Sequence, residues 1–322
     1  MHEATMNRRL LIPTVTAILL VLGPAAAVPQ GIEEHFLNSA ALITNGKSGG
    51  SGFFMLHELA RDLATGRASY AVLLVTNKHL LPPETATTSE PGPRDISVRL
   101  VVRKDDDTAE VKDVSVPVVG PDGKWLKSVA YHPAPLVDVA VVDVGNVLNE
   151  QRANLFFQVA QSRKAVTSEL LVHKDELKEA AIGIGTQIYL LGYPAGIFER
   201  RNISPILRVG IIATEPDRDF AFNDQLRAAH KELPETLRGF LIDASVFPGS
   251  SGSMVVRRTD IVPGFSPGGK RSIPYILGIV SGSLPIYDLE HVQRMGLGIV
   301  YNAETIRETI EVLLKQRRVV TP

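Results

Sequence analysis

The sequence contains no cysteine among its 322 residues. A disulfide framework, a thiolate metal site and a cysteine nucleophile are therefore excluded together. Excess charge of one sign is also missing, with Lys+Arg 34 against Asp+Glu 35. No Lys-rich or Arg-rich stripe stands out, so the electrostatic footprint of a nucleic-acid binder is absent. Long hydrophobic runs are scarce too. The longest apolar stretch, Leu10 to Leu22, is interrupted by Pro13 and falls short of the roughly 20 residues a membrane span needs. What remains is an ordinary globular balance, 44% hydrophobic and 21% charged, enough for one large domain or two small ones with a substantial core.

The short apolar stretch has another meaning. Arg8 and Arg9 precede it, and Gly23-Pro24 leads to Ala25-Ala26-Ala27, the charge, apolar core and small-residue end of a secretory signal. Residues 1–27 are therefore expected to be a cleaved leader that exports the protein to a bacterial periplasm or the extracellular space. No membrane span is expected in the mature chain. Export without cysteine requires a core that needs no covalent staples.

Beyond the leader, short runs rich in Val, Ile and Leu alternate with turn residues. Ala40 to Thr44, Phe53 to Leu56, Tyr70 to Thr76, Ile96 to Val102, Val114 to Val119 and Val137 to Val144 read as strands. A second series follows at Gln187 to Leu191, Leu207 to Ala213, Gly239 to Asp243, Met254 to Arg257 and Ile276 to Ser281. Asn45 to Gly52 reads as a loop, and Ile261 to Ser272 as a hairpin loop. Between the two series, 149–181 is rich in Gln, Lys, Glu, Ala and Leu and predicts one or two short helices. Residues 216–234 predict a charged loop with a helical piece. Asn302 caps a final helix over 303–316, with Ile306, Ile310, Leu313 and Leu314 on one face. The pattern predicts an all-β chain of two packed antiparallel Greek-key barrels, roughly 40–145 and 183–301, with a C-terminal helix and small helical insertions.

Three segments carry chemistry. In Pro248-Gly249-Ser250-Ser251-Gly252-Ser253, a serine with glycines at −2 and +1 sits where the backbone can turn sharply. Its own N–H and that of Gly249 can then converge on a developing oxyanion. Alone, such a string could be an ordinary turn. Val75-Thr76-Asn77-Lys78-His79 ends a strand at a histidine, and Asp138-Val139-Ala140-Val141-Val142 opens one with a carboxylate. The order His, Asp, Ser is that of one serine-hydrolase scaffold, opposite to the α/β-hydrolases. Other strings fail. Gly46-Lys47-Ser48 lacks the leading glycine of a P-loop, Gly46-Lys47-Ser48-Gly49-Gly50 lacks the βα context of a hydrolase elbow, and His57-Glu58 lacks a second histidine at Arg61. No metal or cofactor is expected.

At these residues the chain resembles the trypsin-like serine peptidases of the chymotrypsin fold, in the bacterial branch with the HtrA-type proteases and glutamyl endopeptidases. Gly50-Ser51-Gly52-Phe53-Phe54, Thr76-Asn77-Lys78-His79, Asp138-Val139-Ala140-Val141-Val142, Gly192-Tyr193-Pro194, Arg208-Val209-Gly210-Ile211-Ile212, Asp243-Ala244, Gly249 to Ser253 and Leu277-Gly278-Ile279-Val280-Ser281 carry the likeness. No PDZ domain is expected after the last helix. The resemblance implies a serine endopeptidase with Ser251 as nucleophile, His79 as general base, Asp138 orienting the imidazole, and the N–H groups of Gly249 and Ser251 as oxyanion donors. It implies a protein or peptide substrate paired as an added strand along Ser281, Gly282 and Ser283, and Ser245 at the base of the primary pocket. A neutral Ser245 argues against selection of Arg or Lys and leaves a small or medium apolar side chain as the expectation. Ser250 stands where digestive relatives carry Asp, so activation by a salt bridge to a new N-terminus is not expected. The rivals are a catalytically silent peptide- or protein-binding module on the same fold and, against the motif order, an α/β-type esterase. The oligomeric state is not encoded.

Overall fold

Alternation of side chains across a strand decides which runs look continuous and which look striped. In the computed structural model, which describes residues 32–84, 94–103, 109–151, 165–199, 204–231, 233–259, 273–287 and 292–318, β4 (Asp95–Arg103) and β5 (Ala109–Pro117) are striped. Ile96, Val98, Leu100, Val114 and Val116 point inward and are buried. On the outer face Arg99 lies directly opposite Asp113, and the two form a bidentate pair of 2.7 Å bonds.

β2 (Gly49–Arg61), β3 (Ala68–Thr76) and β7 (Ala140–Asp143) are apolar on both faces. With β1 (Ala40–Thr44) and β6 (Val129–Tyr131) they complete an antiparallel seven-stranded sheet in the order β5-β4-β1-β2-β3-β7-β6. Its strands serve two cores. Phe54, Leu74 and Val142 join a core private to this sheet. Their neighbours Phe53, Met55, Leu73, Val75 and Val141 turn the other way, into a core shared with the second strand system.

That second system is a closed barrel, β12-β15-β14-β13-β8-β9. Its strands are β8 (Gln187–Gly192), β9 (Ile206–Ile212), β12 (Gly239–Asp243), β13 (Met254–Arg257), β14 (Ile276–Tyr287) and β15 (Val292–Asn302). A two-stranded pair, β10 (Phe220–Ala221) and β11 (Thr236–Leu237), sits between β9 and β12 with α4 (Asp224–Ala229) inside its connection. The remaining helices are α1 (Glu34–Ser39), α2 (Gly145–Glu150), α3 (Lys174–Glu179) and α5 (Ala303–Arg318). Asn302 caps α5 through its Oδ1, which accepts from Thr305 N–H at 3.2 Å. Ile306, Ile310 and Leu313 enter the shared core.

The all-β architecture matches the sequence reading, with the first strand system an open sheet and the second a closed barrel. Three local readings change. The segment 45–52 is not all loop: β2 begins at Gly49, because Gly50 and Gly52 allow backbones to approach. A Cβ at Gly52 would lie 2.6 Å from Ile43 Cδ1 and 3.0 Å from Val75 O. Of the run 137–144 only Ala140–Asp143 is strand, which leaves Asp138 on the connection before it. The final helix continues to Arg318. The leader, the hairpin loop over 261–272 and residues 152–164 fall outside the described residues; in the described part of 149–181, α3 and the 3₁₀ turn Ser168–Leu170 are short helical pieces of the kind expected there.

Candidate active site

The loop between β12 and β13 is held by its own carbonyls. Pro248 O accepts from Ala195 N–H at 2.5 Å, Ser250 O from Ser253 N–H at 2.9 Å, and Ser251 O from Ser51 N–H at 2.7 Å. Gly249 O instead accepts from a side chain, the Ser51 hydroxyl, at 2.8 Å. A trans peptide directs its N–H opposite to its C=O, so each pinned carbonyl also aims the next residue's amide. Two glycines make the path possible. Gly249 and Gly252 adopt φ of +87° and +86°, in the left-handed region that suits glycine. A Cβ at Gly252 would sit 1.7 Å from Ser51 O. Among the described residues, neither Gly249 N–H nor Ser251 N–H donates a hydrogen bond, so both are available to an incoming acceptor.

His79 lies on the 3₁₀ turn Lys78–Leu80 that follows β3. The Lys78 ammonium packs over the Tyr131 ring, 4.8 Å from its centroid, a cation–π contact that ties this turn to β6. Asp138 approaches from the loop before β7. Its Oδ2 accepts from His79 Nδ1 at 2.6 Å and its Oδ1 from the His79 backbone N–H at 3.0 Å. The proton on Nδ1 leaves Nε2 as the acceptor face of the ring. A further donor to Oδ2 is the Ser281 hydroxyl at 2.7 Å. Behind the carboxylate, buried Asn77 donates to Asp138 O at 2.6 Å. The phenol of Tyr301 donates to Leu136 O at 2.6 Å, and burial, reinforced by the nearby Asp138 charge, pushes it up to about 12.

Ser251 enters the same cluster from the barrel. Its Oγ donates to Ser281 O at 2.7 Å. Ser281 therefore faces both ways, its hydroxyl on Asp138 and its carbonyl on Ser251. Among the described residues no hydrogen bond joins Ser251 Oγ to His79. Catalytic contacts of this kind are often long before substrate binds.

The remaining predicted positions flank this cluster. Ser281, Gly282 and Ser283 lie on β14 past Ile279, the last residue that β13 pairs, and a register shift follows Val280. Gly282 has open space where a Cβ would be. Ser245 is exposed, and its carbonyl accepts from the Arg208 guanidinium of β9. The same guanidinium lies 4.7 Å from the centroid of the Phe247 ring. No His/Asp/Glu cluster among the described residues has the arrangement of a metal site, and His57 contacts Ser168 Oγ at 2.9 Å. No helix among the described residues is long and apolar enough to cross a membrane.

Sequence reading missed the hydroxyls of Ser51 and Ser281, the amide of Asn77 and the guanidinium of Arg208. Ser51 and Asn77 lie inside the strings Gly50-Ser51-Gly52 and Thr76-Asn77-Lys78-His79, so a polar residue beside a close-approach glycine or a site histidine was the available signal. Nothing local marks Arg208.

A profile of the trypsin-like peptidase domain matches residues 50–264. No curated protein matches the chain. Among solved structures, the Rv3671c protease of M. tuberculosis H37Rv, as an inactive-form serine-to-alanine variant, is 17% identical, with 89% of this chain and 90% of that chain covered and a TM-score of 0.43. Another structure of the Rv3671c protease in an inactive form gives 17% identity, 86% and 90% coverage and a TM-score of 0.42. The profile spans more than half of the sequence, and the chain therefore belongs to the trypsin-like peptidase family, as a serine peptidase.

Proposed function

We propose that the protein is an exported endopeptidase that cleaves peptide bonds through an acyl-enzyme on Ser251. The observation that carries this reading is the continuous hydrogen-bonded chain His79–Asp138–Ser281–Ser251, assembled from both strand systems. In the reaction, Ser251 Oγ turns from Ser281 O to His79 Nε2, gives up its proton there and attacks the scissile carbonyl. Asp138 fixes the imidazole and stabilises its charged form. The protonated ring then delivers its proton to the leaving amine, and water repeats the sequence to release the acyl group. The N–H groups of Gly249 and Ser251 receive the oxyanion, a contribution whose loss costs roughly 10²–10³ in turnover per donor. An extended substrate pairs along Ser281 to Ser283. Its main-chain N–H competes for Ser281 O and so helps return the Ser251 hydroxyl to His79. Ser245 contributes no charge to the primary pocket, which favours a neutral side chain before the cut. Export rests on the leader pattern over 1–27.

A second reading is a silent peptide-binding module, favoured by the resting contact of Ser251 with Ser281 in place of His79. Labelling with a fluorophosphonate probe, mapped by peptide mass spectrometry, separates the two. Label at Ser251 that is lost in Ser251→Ala and His79→Ala supports the peptidase. A folded protein that takes no label supports the binding module.

A further inference from the structure

Ser51 sits on β2, at the junction of the open sheet and the barrel, with no exposed surface. All of its polar atoms point at other parts of the candidate site. Its hydroxyl donates to Gly249 O at 2.8 Å and accepts from Tyr193 N–H at 2.8 Å. Its N–H donates to Ser251 O at 2.7 Å. Its carbonyl accepts from the Thr76 hydroxyl, at 2.9 Å, on the strand that leads to His79. Space around it is tight. A Cβ at Gly192 would lie 2.6 Å from Ser51 Oγ, and one at Gly252 would collide with Ser51 O.

The Gly249 carbonyl sits between the two amides that would receive an oxyanion. On either side, the carbonyls of Pro248, Ser250 and Ser251 are tied by backbone N–H groups, which a substitution leaves in place. Gly249 O alone of these four is tied by a side chain. Gly249 is also, like Gly252, a glycine at positive φ, with low intrinsic barriers to rotation of its flanking peptides. The peptide between the two donors is held at one end by the Ser250 N–H, which donates to Phe247 O at 2.9 Å, and at the other by the Ser51 hydroxyl, which reaches across 198 residues of sequence.

We propose that Ser51 is a positioning residue for the oxyanion site: its hydroxyl holds the Gly249 peptide so that the N–H groups of Gly249 and Ser251 stay aimed at one point. It touches neither substrate nor reacting atoms. The inference deepens the peptidase reading and rests on it.

The test compares wild type with Ser51→Ala by the second-order rate of Ser251 phosphonylation with a fluorophosphonate, followed across pH. Phosphonylation needs both the basic His79 face and the donors that receive charge on the phosphoryl oxygen. The rate is expected to fall about ten- to a hundredfold, while the pH midpoint, which reads the His79–Asp138 pair, stays at the wild-type value. Ser51→Cys, which is slightly larger and donates only weakly, is expected to fall between the two, and it decides the matter if the alanine variant does not fold. A folded variant that labels at the wild-type rate overturns the role of Ser51 alone. A shifted pH midpoint also overturns it, by showing that the substitution acts through His79. Wild-type protein that takes no label removes the peptidase reading, and this inference with it.

Discussion

Ser281 shows how one residue can support two partners. Its hydroxyl is one of three donors on the Asp138 carboxylate, so Ser281→Ala leaves the carboxylate a donor short without touching His79. Phosphonylation of Ser251 is expected to slow about threefold to tenfold, less than for Asp138→Asn, which reverses the tautomer logic of the ring and costs orders of magnitude. Gly252→Ala is harsher. The new methyl would meet Ser51 O at 1.7 Å on a residue at φ +86°, so a folded but unlabelled protein is expected, with an unfolding free energy, read by chemical denaturation, lowered by about 2 kcal/mol or more. At this scale His79, Asp138 and Ser251 were legible because each stands at a strand boundary in a recognisable string. Ser51 was not, since the meaning of its hydroxyl depends on a carbonyl 198 positions away. Neither was the Ser251–Ser281 contact, which is a choice of side-chain rotamer.

Among the elements, β9 and α5 have different tasks. Arg208 and Gly210 of β9 face the 243–247 segment, and a Cβ at Gly210 would press within 2.7 Å of Ala244 Cβ and Asp243 O. Arg208 closes the far end by gripping Ser245 O and covering Phe247. Arg208→Ala is expected to loosen this wall, raising KM for peptide substrates several-fold with a smaller change in kcat, as steady-state kinetics would show. Strand positions were readable from runs of Val, Ile and Leu bounded by turn residues, and the helix from its cap and its apolar face. The bounds of β2 and β7 were less so. Glycines that normally interrupt strands are needed here for close approach, and an apolar run continues through the bend that carries Asp138 and Val139.

For the whole molecule, α5 is the clamp. Its Arg307 donates to Val172 O at 2.9 Å, and Arg317 pairs with Asp143 at the end of β7. Glu308 takes a bidentate grip from Arg238, with bonds of 2.7 and 2.8 Å, and contacts buried His132 at 2.5 Å. The Arg238 guanidinium, helped by His132 and opposed by burial, holds the Glu308 carboxyl below its ordinary value of 4.5. A carboxyl depressed in the folded state adds stability above its unfolded value, and that stability is lost as pH falls through the folded one. The melting temperature of wild type is therefore expected to drop on acidification below about pH 4.5, and Glu308→Gln should flatten that part of the curve while melting lower at neutral pH. Ile310→Ala, at the buried face of α5, is expected to cost about 2–4 kcal/mol in urea unfolding.

The division of the apolar residues into a shared core and a private one has a kinetic meaning. His79 and Asp138 are carried by the open sheet, Ser251 and Ser281 by the barrel. The sheet also packs Phe54, Leu74, Val98, Val114 and Val142 among themselves, apart from the barrel. A brief parting of the two would open the shared core, the larger one, while leaving most strands hydrogen-bonded, an opening short of global unfolding. Reactivity at Ser251 is thus a gauge of docking, and in mild urea it should fade before the circular-dichroism signal of the strands.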